Sequence, residues 1–326
     1  MEQTPRAPSF RSVSIVVLAL FFLLTLSVAS LADPDRWKRE WPKTEFAKHS
    51  VDFKEILSGG PPKDGIRSID HPTFVTIPEV KNLADTEPVI GLVIDGDARA
   101  YPLGVLTRHE IVNDTVGGIP VTVTYCPLCN SGIVFDRRLD GKVLNFGTTG
   151  KLRSSDLVMY DRQTESWWQQ FLGTAIVGEL TGKSLEIIPS RLESFANFCA
   201  RAPAGKVLDS RGYGYNTYAF YDTRPRPYRF FTGELPKGIE PMVRVVAIGN
   251  EAWSLPLLRR KGVITKGDLV ISWKAGQNSA LDSPEIASGR DVGNVVVQRG
   301  GKDIVHDVTF AFVFHVFRPQ GVIHTQ

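Results

Sequence analysis

Sulfur-containing residues are scarce in this chain, which holds three Cys and three Met among 326 residues. So few Cys exclude a small disulfide-dense domain, and so few Met leave no Met-rich copper motif. A net charge of +3, from 38 basic and 35 acidic residues, indicates no nucleic-acid partner. With 42% hydrophobic and 22% charged residues, the composition also excludes a disordered chain and a multi-span membrane protein.

Several common catalytic and cofactor motifs are absent as well. The sequence has no phosphate-binding Gly loop, no G-x-S-x-G elbow and no H-E-x-x-H pair. Five of the six His form no close spacing pattern, namely His49, His71, His306, His315 and His324. We therefore expect no nucleotide cofactor, and any chemistry has to come from other residues.

One long apolar run, residues 13–32, lies near the N-terminus. Arg6 and Arg11 precede it, and Ser30-Leu31-Ala32 ends it with small residues at the outer positions. This layout is typical of a secretory signal peptide, 1–32, cleaved after Ala32. The alternative is an uncleaved anchor, because the run is just long enough to span a bilayer. Either way we expect an exported protein, periplasmic or extracellular, that meets a membrane only if the segment stays uncleaved.

The rest of the chain contains an internal repeat of β units. In each copy an apolar segment is followed by a Gly-containing turn and a second such segment. Gly, Asn and Asp accept the positive φ angles that tight hairpin turns need. The two opening hairpins are residues 89–103 and 243–257. Two further landmarks then follow in the same order in both copies. Val123-Thr124-Tyr125 corresponds to Ile271-Ser272-Trp273, and a later hairpin at 135–146 corresponds to 295–308.

These landmarks predict a mainly β protein (α+β only in a minor sense) with few helices. It would consist of two related β-rich lobes from an internal duplication. Ser190 and Glu193 have the spacing of a capping box, which predicts a helix from that point. The expected organisation is a tether or edge-packing arm 33–64, a first β lobe 65–188, a helix 189–205 with a connection to about 240, and a second, degenerate β lobe 241–326.

The most informative motif is Cys126-Pro127-Leu128-Cys129, which lies between two predicted strands, 121–125 and 133–137. Two residues between thiols allow both sulfurs to reach one metal ion. The same spacing also forms redox-active pairs, and outside the cytoplasm it can form a structural disulfide. The second copy has Lys274-Ala275-Gly276-Gln277 at this place. The fold position therefore does not itself require Cys.

His109 is the best candidate for a third ligand, because it precedes Cys126 by a length of chain that adjacent strands can bridge. A Cys₂His set with an open position suits zinc, and a thiolate-rich site also suits Cu(I). A structural role for His109 is an equal alternative. Cys199 lies on the apolar face of the predicted helix and is expected to be a core residue outside the site.

Asp156, Asp161 and Arg162 form a second polar cluster and are candidates for contacts to a substrate. The alternative is a turn that begins at Asp161 and contains an Asp–Arg pair.

The chain resembles the prokaryotic domain-of-unknown-function family numbered 3179, from about Gly65 to Pro319. The resemblance rests on Glu87 to Gly91, Ala100 to Leu103, His109 to Gly118, Thr124 to Arg137 with its Tyr-Cys-Pro-Leu-Cys motif, and Ser155 to Arg162. It implies a secreted or lipid-anchored protein and leaves the activity open. No Cys follows the predicted cleavage point, so a lipid anchor is not expected.

From the residues we expect an exported protein that binds copper or zinc through Cys126, Cys129 and His109. If it is an enzyme, the metal would be a Lewis acid or a redox centre. The alternatives are a thiol–disulfide oxidoreductase and a non-catalytic binding scaffold with a structural disulfide, whose small-molecule or protein partner the sequence does not name.

Overall fold

The structure, a computed structural model, describes residues 34–209 and 216–326. The predicted signal segment therefore lies outside the described residues. The fold is mainly β with few helices, as the sequence predicts, at 39% strand and 15% helix. Its five small sheets form a propeller-like ring. The helices are short: α1 Pro34–Glu40, α2 Leu103–His109, α3 Phe195–Arg201, α4 Leu255–Lys261 and α5 Ala311–Phe317.

Short strands account for most of the regular structure. In chain order they are β1 Ile56–Ser58, β2 Phe74–Thr76, β3 Pro88–Ile94, β4 Asp97–Pro102, β5 Ile111–Val116, β6 Ile119–Cys126, β7 Ser131–Asp136, β8 Arg138–Leu139, β9 Lys142–Val143, β10 Phe146–Arg153, β11 Asp156–Asp161, β12 Trp167–Gln169, β13 Thr174–Val177, β14 Ile187–Ile188, β15 Arg191–Ser194, β16 Lys206–Leu208, β17 Arg244–Ile248, β18 Glu251–Ser254, β19 Val263–Lys266, β20 Leu269–Lys274, β21 Asn294–Arg299, β22 Lys302–Asp303, β23 Asp307–Phe310 and β24 Val322–His324.

The strands pair into five sheets and one small hairpin. The strand orders are β1-β10-β11-β12-β13, β14-β7-β6-β5, β15-β3-β4-β16-β2, β23-β17-β18-β24 and β19-β20-β21-β22, with β8-β9 as the hairpin.

The duplication is confirmed by the strand pairings. The first copy is the series β3-β4-α2-β5-β6-β7, completed by β15-α3-β16, and the second is β17-β18-α4-β19-β20-β21, completed by β23-α5-β24. In each copy a later strand, β15 or β23, pairs antiparallel with the opening strand, β3 or β17. The last strand, β16 or β24, lies parallel to the second strand of the opening hairpin, β4 or β18. The first repeat thus extends to Leu208, past the expected lobe boundary at 188.

The helix expected from Ser190 begins later, at Phe195. Residues Arg191–Ser194 instead form β15, which pairs with β3. The side chain of Ser194 accepts a hydrogen bond from Asn197 N and so caps the helix. The capping-box prediction was wrong because hydrogen bonding to β3 outweighed the local helical signal.

The arm, residues 34–64, packs against the first sheet. Its strand β1 pairs with β10, and the buried Trp41 meets Trp167 edge to face at 5.3 Å between ring centroids. Burial of such aromatic area fixes the segment on the sheet edge.

The two repeats share one hydrophobic core. Buried apolar side chains of the first copy, such as Tyr101 and Val123, belong to the same cluster as Trp253 and Val297 of the second. The repeats therefore depend on each other for burial of their apolar surface. Within residues 34–209 and 216–326, none of the helices has both the length and the apolar character needed to cross a bilayer.

Candidate metal centre

The Cys-x-x-Cys motif forms the tight connection between β6 and β7. Cys129 N donates to Cys126 O at 3.1 Å, and Asn130 N donates to Pro127 O at 3.2 Å. Asn130 closes the turn with φ of 50°, a left-handed conformation that Asn tolerates better than most residues. Both thiols are free and buried. The turn therefore presents both sulfurs to the protein interior.

The second repeat holds this turn in place through β23. Asn130 Nδ2 donates to Val308 O at 2.7 Å, and Cys129 O accepts from Thr309 Oγ1 at 2.8 Å. Phe310 N donates to the same carbonyl at 3.2 Å. The thiols belong to the first copy alone, and the turn that carries them is thus held in place by residues of the second copy.

The hairpin turn between β10 and β11 faces the two sulfurs. Its central residues, Ser154 and Ser155, have φ of 51° and 67° although neither is Gly, and such backbone strain is common at functional sites. The Ser155 carbonyl oxygen lies 3.6 Å from the sulfur of Cys126 and 3.6 Å from that of Cys129. The turn therefore aims a carbonyl oxygen at both thiols.

Asp156 follows this turn and completes the cluster. Its Oδ2 accepts from Gln169 Nε2 at 2.5 Å and from Phe171 N at 2.9 Å. Its Oδ1 is buried and has no hydrogen-bond partner among the described residues. The ligand atoms of Cys126, Cys129 and Asp156 all lie within 4.8 Å of one another, which makes them the one such group found in the described part of the chain.

In the part of the chain that the structure describes, the charged groups that shift the pKa values in and beside the cluster are acids. Burial raises the pKa of the Asp156 carboxyl to about 6, and it raises the pKa of both thiols. Burial, together with the charge of Asp156, also raises the pKa of Glu110 to about 8. Asp156 and Glu110 each raise the pKa of Cys126 further by repulsion. A cation among these groups would favour their ionised forms.

His109, the third ligand that the sequence suggested, is not one of the three residues of this group. His109 is the last residue of α2, and its Nδ1 lies 2.7 Å from the Arg67 carbonyl oxygen. The chain turns sharply at Glu110, with φ of 58°, and the Glu110 side chain is buried. The residue that the structure places beside the two thiols is Asp156.

Asp161 and Arg162 have partners elsewhere. Asp161 accepts from Thr164 N at 2.7 Å and from Trp168 Nε1 at 2.9 Å, so it closes the turn that follows β11. Arg162 forms ion pairs with Asp64 at 3.0 Å and Asp70 at 3.4 Å. The turn at Asp161 is thus present, but Arg162 pairs with carboxylates outside it and not with Asp161. Of the second polar cluster, Asp156 alone joins the thiols. Cys199 lies on α3 and packs against an apolar cluster built around β3 and α3.

Two features of the site were missed by reasoning from the sequence, the Ser155 carbonyl and the Glu110 carboxyl. For Glu110 a signal existed in the repeat. The equivalent helix end in the second copy is Gly262, with φ of 70°. Glu110 therefore has a backbone conformation that favours Gly, and this difference between the two copies is the signal.

The fold and site define a mainly β protein with a buried cluster of two thiols and one carboxylate. A family model described as "Protein of unknown function (DUF3179)" matches residues 63–321. The chain belongs to this family, which confirms the resemblance seen in the sequence. Comparison with curated proteins and with solved structures returns no significant match.

Proposed function

We propose that this protein is an exported metal-binding protein whose ion is held by Cys126, Cys129 and Asp156. The observation that carries the proposal is the unpartnered Oδ1 of Asp156, buried within 4.8 Å of two free thiols. A buried carboxylate oxygen without a partner is costly, and a bound cation supplies what it lacks. The export part rests on the signal-like residues 13–32.

The donor set favours zinc over copper. Two thiolates suit both zinc and Cu(I), whereas a carboxylate is a harder ligand that zinc accepts more readily. Three protein side chains would leave a fourth position of the usual tetrahedron, for which the Ser155 carbonyl oxygen, 3.6 Å from both sulfurs, would be available. When bound, the ion would supply a fixed positive charge. Gln169 Nε2 and Phe171 N donate to Oδ2 and so hold the Asp156 carboxylate in place.

The thiol–disulfide alternative is less well supported by the geometry. Such enzymes need an accessible thiol of low pKa. Cys126 is only 1% exposed and Cys129 is fully buried, and burial raises the pKa of both thiols. Metal binding is consistent with the same burial, since the ion itself drives deprotonation of its ligands.

The test is elemental analysis of the full chain purified under reducing, oxygen-free conditions. We expect about one equivalent of zinc per chain, lost in Cys126→Ser and in Asp156→Asn. Cys199→Ser is the matched control, because it makes the same exchange outside the cluster, and it should keep the zinc of the unaltered chain. Asp156→Asn preserves the shape of the side chain, so it tests the ligand even if Cys126→Ser fails to fold.

Two results would overturn the proposal. One is a chain with no bound zinc, copper or iron that also takes up none on titration with zinc. The other is a metal content that Asp156→Asn and Cys126→Ser leave unchanged. Copper in place of zinc would keep the site and change the assigned ion.

A further inference from the structure

The second repeat, which lacks the thiols, borders a cleft with a volume of about 450 Å³. It lies between the start of β17, the helix α4 and the end of β20, and the segment around 222–225 forms its far wall. A cleft of this size is in the range of small-molecule sites.

Part of the cleft surface is apolar. Met242 and Leu255 are buried side chains of its lining. Trp273 adds an indole ring, whose Nε1 already donates to Val292 O at 3.0 Å. The ring's polar atom is therefore engaged, and the half-buried indole adds aromatic surface to the lining.

Arginines dominate the polar part of the same cleft. The buried Arg244 bonds Asp222 at 2.8 Å through Nη2, and its Nε has no hydrogen-bond partner among the described residues. Arg290 pairs with Asp222 as well, at 3.1 Å. The carboxylate of Asp291, also in the lining, accepts from three backbone N–H groups, those of Gly276, Gln277 and Gly293.

Two further arginines of the lining lack an ionic partner. In residues 34–209 and 216–326 no carboxylate lies within 4.0 Å of the guanidinium of Arg224 or Arg259. Arg224 stacks on Tyr228 at 4.6 Å, and Arg259 stacks on Trp273 at 5.6 Å. Asp222 and Asp291 are already engaged, which leaves Glu240 as the remaining carboxylate of the lining. The cleft thus has more cationic than anionic groups available to a ligand.

We propose that this cleft binds a small organic anion, a carboxylate attached to a planar apolar body. The planar part would lie along Trp273 and the aliphatic lining, and the carboxylate would meet Arg224 and Arg259, whose planar guanidinium groups suit bidentate carboxylate recognition. The proposal stands apart from metal binding, because its residues come from the second repeat and the segment that precedes it, and none belongs to the thiol cluster.

Isothermal titration calorimetry of the full chain with 2-naphthoate and indole-3-acetate tests it. The uncharged controls are 2-naphthamide and indole-3-acetamide, and inorganic phosphate serves as an anion without the planar body. We expect the carboxylates to bind about tenfold more tightly than the amides, because charge-assisted hydrogen bonds are stronger than neutral ones. Inorganic phosphate should bind more weakly than either carboxylate.

Variants assign the binding to the cleft. Arg259→Gln and Arg224→Gln should each weaken carboxylate binding about tenfold, and since both side chains are exposed, neither should unfold the protein. Arg260→Gln is the matched control, because its guanidinium bonds Thr325 O outside the cleft. It should bind like the unaltered chain.

The proposal is overturned if neither carboxylate binds at millimolar concentration. It is also overturned if acid and amide bind equally, or if Arg259→Gln and Arg224→Gln bind as tightly as Arg260→Gln. Metal content separates the two proposals, since Arg259→Gln should keep the zinc of the unaltered chain even where carboxylate binding is lost.

Discussion

Glu110 and Gly262 occupy the same place in the two repeats. Each caps the short helix of its copy and donates its N–H to the carbonyl four residues earlier, Leu106 O at 2.8 Å and Leu258 O at 2.7 Å. The carbonyl oxygens of Glu110 and Gly262 in turn accept from Tyr125 N and Trp273 N, both at 2.8 Å. Both residues have positive φ, 58° and 70°. The second copy has the residue type that this conformation prefers, and the first copy has a buried acid beside the thiol cluster.

This comparison predicts that Glu110→Gly stabilises the metal-free protein. Relief of the left-handed strain contributes about 1 kcal/mol. Removal of the buried carboxyl adds a further gain that grows as the pH rises from 4.5 and is complete above about 8, the pKa of Glu110. Urea unfolding at pH 9 measures the difference. Gly262→Ala is the reverse control, with an expected loss of about 1 kcal/mol, since a Cβ there meets no other atom within 4 Å. A destabilised Glu110→Gly protein would contradict the prediction.

Gln169→Leu should weaken zinc binding 10- to 100-fold, roughly the effect of losing a partner that orients a metal ligand. The reason is that Gln169 Nε2 holds Asp156 Oδ2 at 2.5 Å. Competition with a zinc chelator gives the affinity. Gln163→Leu is the control, because Gln163 is exposed and bonds Asn145 N outside the cluster. Equal affinities for the two variants would remove Gln169 from the site.

The stability of the metal-free protein should fall as pH rises from about 4 to about 7, because burial raises the pKa of Asp307 to about 7. A raised carboxyl pKa stabilises the fold fully below the unfolded pKa, near 4, and this contribution is lost as the pH passes the folded pKa. Each pKa unit corresponds to about 1.4 kcal/mol. Urea midpoints across this range are the measurement.

Asp307→Asn should flatten that dependence, whereas Asp95→Asn, an exposed turn position, should leave it unchanged. An unaltered slope in Asp307→Asn would assign the pH dependence to other groups.

Asn130→Ala should destabilise the protein by about 3 kcal/mol. It places Ala at φ of 50°, which costs about 1 kcal/mol, and it removes the bonds to Val308 O and from Tyr125 OH, each worth about 1 kcal/mol. Asn130→Gly loses only the two bonds, so it should recover about a third of the loss. Thermal or urea unfolding compares the pair, and identical losses would mean that backbone strain at this turn is negligible.

Much of the fold could be predicted because its signals are local. The turn Asp95-Gly96, with φ of 48° and 83°, and the two-residue hairpin around Gly300-Gly301 follow from residue types that accept positive φ. The helix expected at Ser190 failed for the opposite reason, since pairing with β3 is a tertiary contact.

The site was only partly predictable. The thiol pair is a local motif, and its spacing alone implies convergence on one point. The third member of the cluster is not local, because Asp156 comes near the thiols only through the turn between β10 and β11. His109 is nearer in sequence, yet the sharp turn at Glu110 directs Glu110 inward instead.

The sequence by itself determined a β-rich repeat and one dithiol turn, because turn chemistry, strand alternation and Cys spacing act over a few residues. The tertiary structure alone decided which carboxylate joins the thiols. It also decided that the second repeat supports the turn, and that arginines from separate segments meet in one cleft. Those outcomes depend on burial and hydrogen bonding between elements far apart in the chain, where the free energy of packing outweighs any local preference.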